Sequence, residues 1–83
     1  MMSYEKVKVA KAMAIGTKQT KKAVENLSAV EVFVADDADQ KIQLLISSIC
    51  QARGIPVVRV LSMRELGKAC GIDVGAATVA ICK

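Results

Sequence analysis

Apolar positions recur at helical spacing in some stretches of the chain and alternate or cluster in short runs between them, the two periods expected of helices and strands. Residues 4–12 set Lys6, Lys8 and Lys11 against Val7, Val9 and Ala12, which predicts a short first helix. "MAI" then predicts a brief strand. From Gly16 onward Thr20, Ala23, Val24 and Leu27 share one helical face and leave Lys18 and Lys22 as an i, i+4 pair, with Gln19 on the flank. "VEVFVA", Val30 to Ala35, alternates and is β-branched, so it reads as a strand. "DDAD" offers caps for a long helix from about Asp39 to Arg53, whose packing side holds Ile42, Leu45, Ile46, Ile49 and Cys50, and Gly54 ends it. In "IPVVRV" the proline suits the first residue of a strand. Ser62 and Glu65 form a capping box for a helix that runs through Leu66, Ala69 and Cys70 to Gly71, and "AATVAIC" supplies a final strand. Helices alternate with largely apolar strands, so the pattern predicts one α/β domain over residues 1–83. Its architecture is a three-layer α/β/α sandwich around a small four-stranded mixed sheet.

One helix start breaks the rule the others follow. "IGTKQTKK", Ile15 to Lys22, opens a helix with lysines at 18, 21 and 22 and no acid, although the macrodipole makes each such cation unfavourable by up to about 1 kcal/mol. The Ser62 helix places Glu65 where the dipole favours it. Either the lysines belong to a solvated amphipathic helix, or something negative sits opposite them.

Charge distribution sharpens this without deciding it. The 83 residues carry a net charge of +4, but residues 1–22 hold six lysines against Glu5, a balance of +5. Residues 23–50 balance to −4, from Lys41 against five acids, and residues 51–83 to +3, from five cations against Glu65 and Asp73. If the two basic ends meet in space they make one positive face, the footprint suited to an anionic polymer. The alternative is ordinary solvated surface.

Other chemistries find little support. No histidine is present, and Cys50, Cys70 and Cys82 lack C-x-x-C spacing, so small buried thiols are expected in place of a metal site or disulfide, and no cofactor is expected. Asp73 has no identified partner for acid–base work, and neither G-x-x-x-x-G-K-[ST] nor G-x-G-x-x-G occurs, so catalysis is not expected. Tyr4 and Phe33 are the only aromatics, too few for a base-stacking platform. No apolar run approaches the roughly 20 residues that cross a bilayer, and lysines interrupt the N-terminus where a signal peptide needs an apolar core. A cytoplasmic protein is expected, and nothing in the pattern demands more than a monomer.

Two motifs remain. In "GTKQTKK" a glycine permits close backbone approach beside Lys18 and Gln19, whose heads can hydrogen-bond base edges. In "GIDVGAA", Gly71 to Ala77, Ile72 and Val74 stand in a loop, either tucked onto the core or exposed to a partner. "IGTKQT" after a short helix and "LGKACGIDVGAA" before the last strand together resemble the signatures of the kink-turn-binding ribosomal protein family L-seven-Ae, and most closely its small bacterial members of the YbxF type. The similarity spans essentially the whole chain. It implies an α/β/α sandwich that binds kink-turn RNA, a bent duplex built on tandem sheared G·A pairs, with the ribosome as a possible setting.

In that family the helix opening with Gly-x-Asn-Glu-x-x-Lys docks at the G·A pairs. The resemblance places Gly16 at the glycine, Thr17 beside it, Lys18 at the asparagine, Gln19 at the glutamate and Lys22 at the lysine. It places the family's apolar loop, which packs on bulged nucleotides, on Ile72, Asp73 and Val74. Two departures follow. Gln19 offers an amide oxygen in place of a carboxylate, and charge-assisted hydrogen bonds are roughly twice as strong as neutral ones. Gly75 stands where many members have proline, which loosens the expected loop.

Overall fold

The structure, a computed structural model, describes residues 12–83. The helix expected over residues 4–12 lies outside the described residues, Ala12 excepted. The observed elements are β1 (Met13–Ile15), α1 (Thr17–Glu25), β2 (Ala29–Ala35), α2 (Gln40–Arg53), β3 (Val57–Val60), α3 (Met63–Ala69) and β4 (Thr78–Cys82). The strands form one mixed sheet in the order β1-β4-β2-β3. β4 runs antiparallel to both β1 and β2, and β3 is parallel to β2.

Alternation along the central strands sends side chains to two cores, as a period of two requires. Phe33, Ala35 and Val79 join Val60, Leu66 and Ala69 under α3. Val32, Val34 and Ala80 point the other way and join Ala23, Val24, Ile46 and Cys50 under α1 and α2. The sheet is therefore covered on both faces, which is the three-layer sandwich expected.

Several local expectations are corrected. Leu27 is 58% exposed, because α1 stops at Glu25 and Leu27 takes a left-handed φ of 59° beyond it. Its N–H donates to the Val24 carbonyl (3.1 Å) and that of Ser28 to the Ala23 carbonyl (3.0 Å), the Schellman pattern that ends a helix. Leu45 is 41% exposed: at 3.6 residues per turn it lies about 100° around α2 from Ile46 and about 140° from Cys50, the two buried residues of the predicted stripe, and so falls at its uncovered edge. β2 begins one residue early, at Ala29, and a register irregularity between Ala29 and Glu31 bulges Val30 out to solvent. β4 begins at Thr78, not Ala76, because the Ala76 N–H is taken by the Met63 carbonyl (3.0 Å) of α3. Of the three thiols expected to be buried, only Cys50 is fully so; Cys70 and Cys82 are half-buried. Burial pushes the thiols of Cys50 and Cys70 above their ordinary pKa. Among the described residues no helix is long and apolar enough to cross a membrane.

Candidate nucleic-acid interface

Connectivity gathers the helix starts at one end of the sheet. β1, β2 and β3 each run into the helix that follows, so α1, α2 and α3 all begin where β4 begins, and their free N–H groups face the same end. Two of these starts are closed by the protein itself. Asp39 caps α2 by accepting from the Lys41 N–H (2.8 Å), and Ser62 caps α3 by accepting from the Glu65 N–H (3.1 Å). Asp37 reaches the same helix and accepts from the Met63 N–H (2.8 Å).

The third start is different. Gly16 stands at φ 97°, ψ 160°, a conformation essentially restricted to glycine, and among the described residues no side chain caps α1. No acid occupies the first turn. The Gly16 N–H donates to the Thr78 carbonyl (2.9 Å) and the Gly16 carbonyl accepts from Thr20 (2.9 Å), which leaves the N–H groups of Thr17, Lys18 and Gln19 without an intrahelical acceptor. A Cβ at Gly16 would meet nothing within 4 Å, so the glycine is required by backbone conformation and the space above it is open. Lys18, Gln19, Lys21 and Lys22 are exposed around this start, while Thr17 is half-buried.

Three of the five acids of the chain's middle, Asp36, Asp37 and Asp39, are engaged across the β2–β3 side of the same end. Asp36 accepts from Arg59 Nε at 2.7 Å, an exposed pair of modest worth. Gln43 completes that network, accepting from the Arg59 guanidinium and donating to the carbonyls of Asp36 (3.1 Å) and Ala38 (2.8 Å). Asp37 and Asp39 are the caps just described. Two of the middle's five acids thus serve as helix caps and a third as an ion-pair partner, and the uncapped helix lies on the β1–β4 side.

The second motif arrives at this place through Thr78. The loop over 71–77 ends one residue before it, so the hydrogen bond from Gly16 ties the first motif to the residue that follows the second. Beneath them Thr78 Oγ1 donates to Thr20 Oγ1 (3.2 Å), which donates to the Ala14 carbonyl (3.4 Å); both threonines are fully buried. Within the loop the two apolar side chains part company. Ile72 packs against the α3-side core, whereas Val74 is 70% exposed, with Asp73 and Gly75 exposed on either side of it.

Two features escaped the sequence reading. Spacing puts Thr20 on the packing face, but its hydroxyl link to Thr78, 58 positions away, has no local signature. Gly67 is buried in the interior of α3, and a Cβ there would stand 2.1 Å from the Val74 carbonyl oxygen. That one had a signal, because glycine in a helix interior costs about 1 kcal/mol relative to alanine and so calls for a reason.

Comparison with known proteins agrees with this geometry. The Ribosomal protein L7Ae/L30e/S12e/Gadd45 family matches residues 2–83. An RNA-binding protein of Halalkalibacterium halodurans is 51% identical over 82 residues, 99% of this chain and 100% of its own. The RNA-binding protein YbxF of Geobacillus stearothermophilus is 51% identical over 80 residues, 96% of this chain and 98% of its own. Among solved structures, the Giardia lamblia 15.5kD RNA binding protein superposes with a TM-score of 0.85 at 30% identity, covering 96% of this chain and 68% of that one. From the two motifs, the sheet that joins them and relatives matched end to end, the chain belongs to the Ribosomal protein L7Ae/L30e/S12e/Gadd45 family.

Proposed function

We propose that this protein is a non-enzymatic RNA-binding protein that recognises kink-turn RNA by its shape and a few guanine edges, and that it holds a flexible RNA in the kinked form. The observation that carries the reading is the Gly16 N–H to Thr78 carbonyl bond (2.9 Å), which sets an uncapped, lysine-ringed helix start beside a loop bearing an exposed valine. The names of the relatives, RNA-binding proteins of the same length, support it.

Each residue has a task in this reading. Free N–H groups of Thr17 to Gln19 and the helix dipole face phosphate oxygens, and Gly16 leaves room for the RNA backbone. Gln19 donates to and accepts from the base edges of a sheared G·A pair, and Lys18 reaches guanine O6 and N7 or a neighbouring phosphate. Lys22, one turn further along the exposed face, neutralises backbone charge. Val74 covers a bulged nucleotide, Ile72 anchors the loop to the core behind it, and Asp73 lies at the loop's exposed edge. Because these contacts form together only on a bent duplex, binding selects that form.

A gel-shift titration tests the reading. The protein should bind a kink-turn hairpin far more tightly than the same RNA with its G·A pairs converted to Watson–Crick pairs. Equal affinity would leave a module that rests on ribosomal or other structured RNA without reading the kink.

A further inference from the structure

The geometry points to Gly67, a residue of α3 that lies away from the RNA-facing helix start, as the positioning residue that sets how Val74 is presented, and so as a determinant of kink-turn specificity. This rests on the RNA-binding reading above. Up to Ala76 the loop over 71–77 is held by α3, and only its last residue is tied to a strand, the Ala77 carbonyl accepting from the Ala35 N–H of β2 (3.0 Å). The Ile72 N–H donates to the Gly67 carbonyl (3.1 Å) and the Ala76 N–H to the Met63 carbonyl (3.0 Å), so the loop is fastened at two points one helical turn apart. Between them the Val74 carbonyl oxygen occupies the space a side chain at 67 would fill, 2.1 Å from the position of a Cβ. The clash is with backbone on both sides, so no rotamer change relieves it. Any side chain at 67 must lift the loop off the helix.

The consequence falls on one residue. With its carbonyl seated against Gly67, the Val74 side chain is turned outward, 70% exposed, while Ile72, one bond ladder back, stays on the core. Gly75 makes a lesser contact of the same kind: a Cβ there would stand 3.2 Å from Met63 Cβ and 3.3 Å from its carbonyl carbon. α3 therefore sets the height and orientation of the apolar contact without touching the ligand. A glycine in the interior of a seven-residue helix, unfavourable for the helix itself, is accounted for by this seat.

The test is a double-mutant cycle read by fluorescence anisotropy on a kink-turn hairpin and on its Watson–Crick control. The unsubstituted protein's preference for the kink-turn tests the underlying reading by itself. Val74→Ala should weaken kink-turn binding about tenfold, as expected for losing most of a buried apolar side chain. Gly67→Ala should weaken it by a similar factor, leave binding to the control unchanged and leave the salt slope unchanged, since no phosphate contact is lost. Adding Val74→Ala to Gly67→Ala should then cost less than about twofold, because the two act through one contact. Unchanged kink-turn affinity in Gly67→Ala, losses that multiply independently, or a reduced salt slope would each overturn the proposal while the kink-turn preference still stood. If circular dichroism shows Gly67→Ala unfolded, Gly75→Ala carries the same cycle with a smaller first loss, and independent losses there overturn it equally.

Discussion

The hydroxyl of Thr78, at the first residue of β4, donates to that of Thr20, in the second turn of α1, at 3.2 Å, and both side chains are wholly buried. With the Gly16–Thr78 backbone bond it pins the helix start to the strand at two points, and the donation of Thr20 to Ala14 carries the link to β1. Unpaired buried hydroxyls are costly, whereas a pair replaced together by apolar groups of the same shape is close to neutral. Thr20→Val should therefore destabilise the fold by about 1–3 kcal/mol by stranding the Thr78 hydroxyl, and Thr78→Val by about 1 kcal/mol, since Thr20 keeps its acceptor in Ala14. The double substitution should cost less than the sum of the two, measured by urea unfolding.

At the helix start itself, affinity and discrimination separate. Gln19→Ala should weaken binding to a kink-turn and leave plain duplex binding nearly unchanged. Lys22→Ala should weaken both and lower the slope of log K against log salt by about 1, measured over a salt series.

Leu27 occupies, at φ 59°, the position after a helix cap that favours glycine, and 58% of it is exposed, so little burial offsets the left-handed backbone. Leu27→Gly should stabilise the protein by about 1 kcal/mol, visible as a higher thermal midpoint.

Burial raises the thiol pKa of Cys50 and Cys70 in the fold. For an acid whose folded pKa is raised, stability is fully present below the unfolded value, about 8.5 for a thiol, and is lost as pH climbs through the folded value. The urea midpoint should hold steady from about pH 7 to 8 and fall above about pH 8.5, ahead of lysine titration. Cys70→Ala should make that fall shallower. A flat midpoint across this range would remove the thiols from the account.

What could be read from the chain alone followed from local physics. The β-branched alternation of Val30 to Ala35 and the caps at Asp39 and Ser62 located their elements to within a residue or so, because strand period and capping are written in neighbouring residues. The two motifs were visible as residue types, but their meeting at Thr78 was not, since the partners of Gly16 and Thr20 lie some 60 positions away. The charge pattern was only half legible. The acids of the middle form a negative block in sequence, yet beyond the local cap at Asp39, Asp37 reaches the start of α3 and Asp36 pairs with Arg59, two uses that depend on the β2–β3 crossover. Spacing puts Leu27 and Leu45 on packing faces, but that spacing holds only as far as the helix runs or its neighbours reach, and both side chains are exposed.

The central claim, that the protein selects the kinked form, is tested most directly by energy transfer across a kink-turn RNA labelled at the ends of its two arms. With transfer in the free RNA as the baseline, adding the protein should raise transfer efficiency to a plateau with the same midpoint as binding. The Watson–Crick control should show no rise at any concentration. Binding that saturates on the kink-turn with no change in transfer would contradict the account, because the protein would then hold the RNA without bending it.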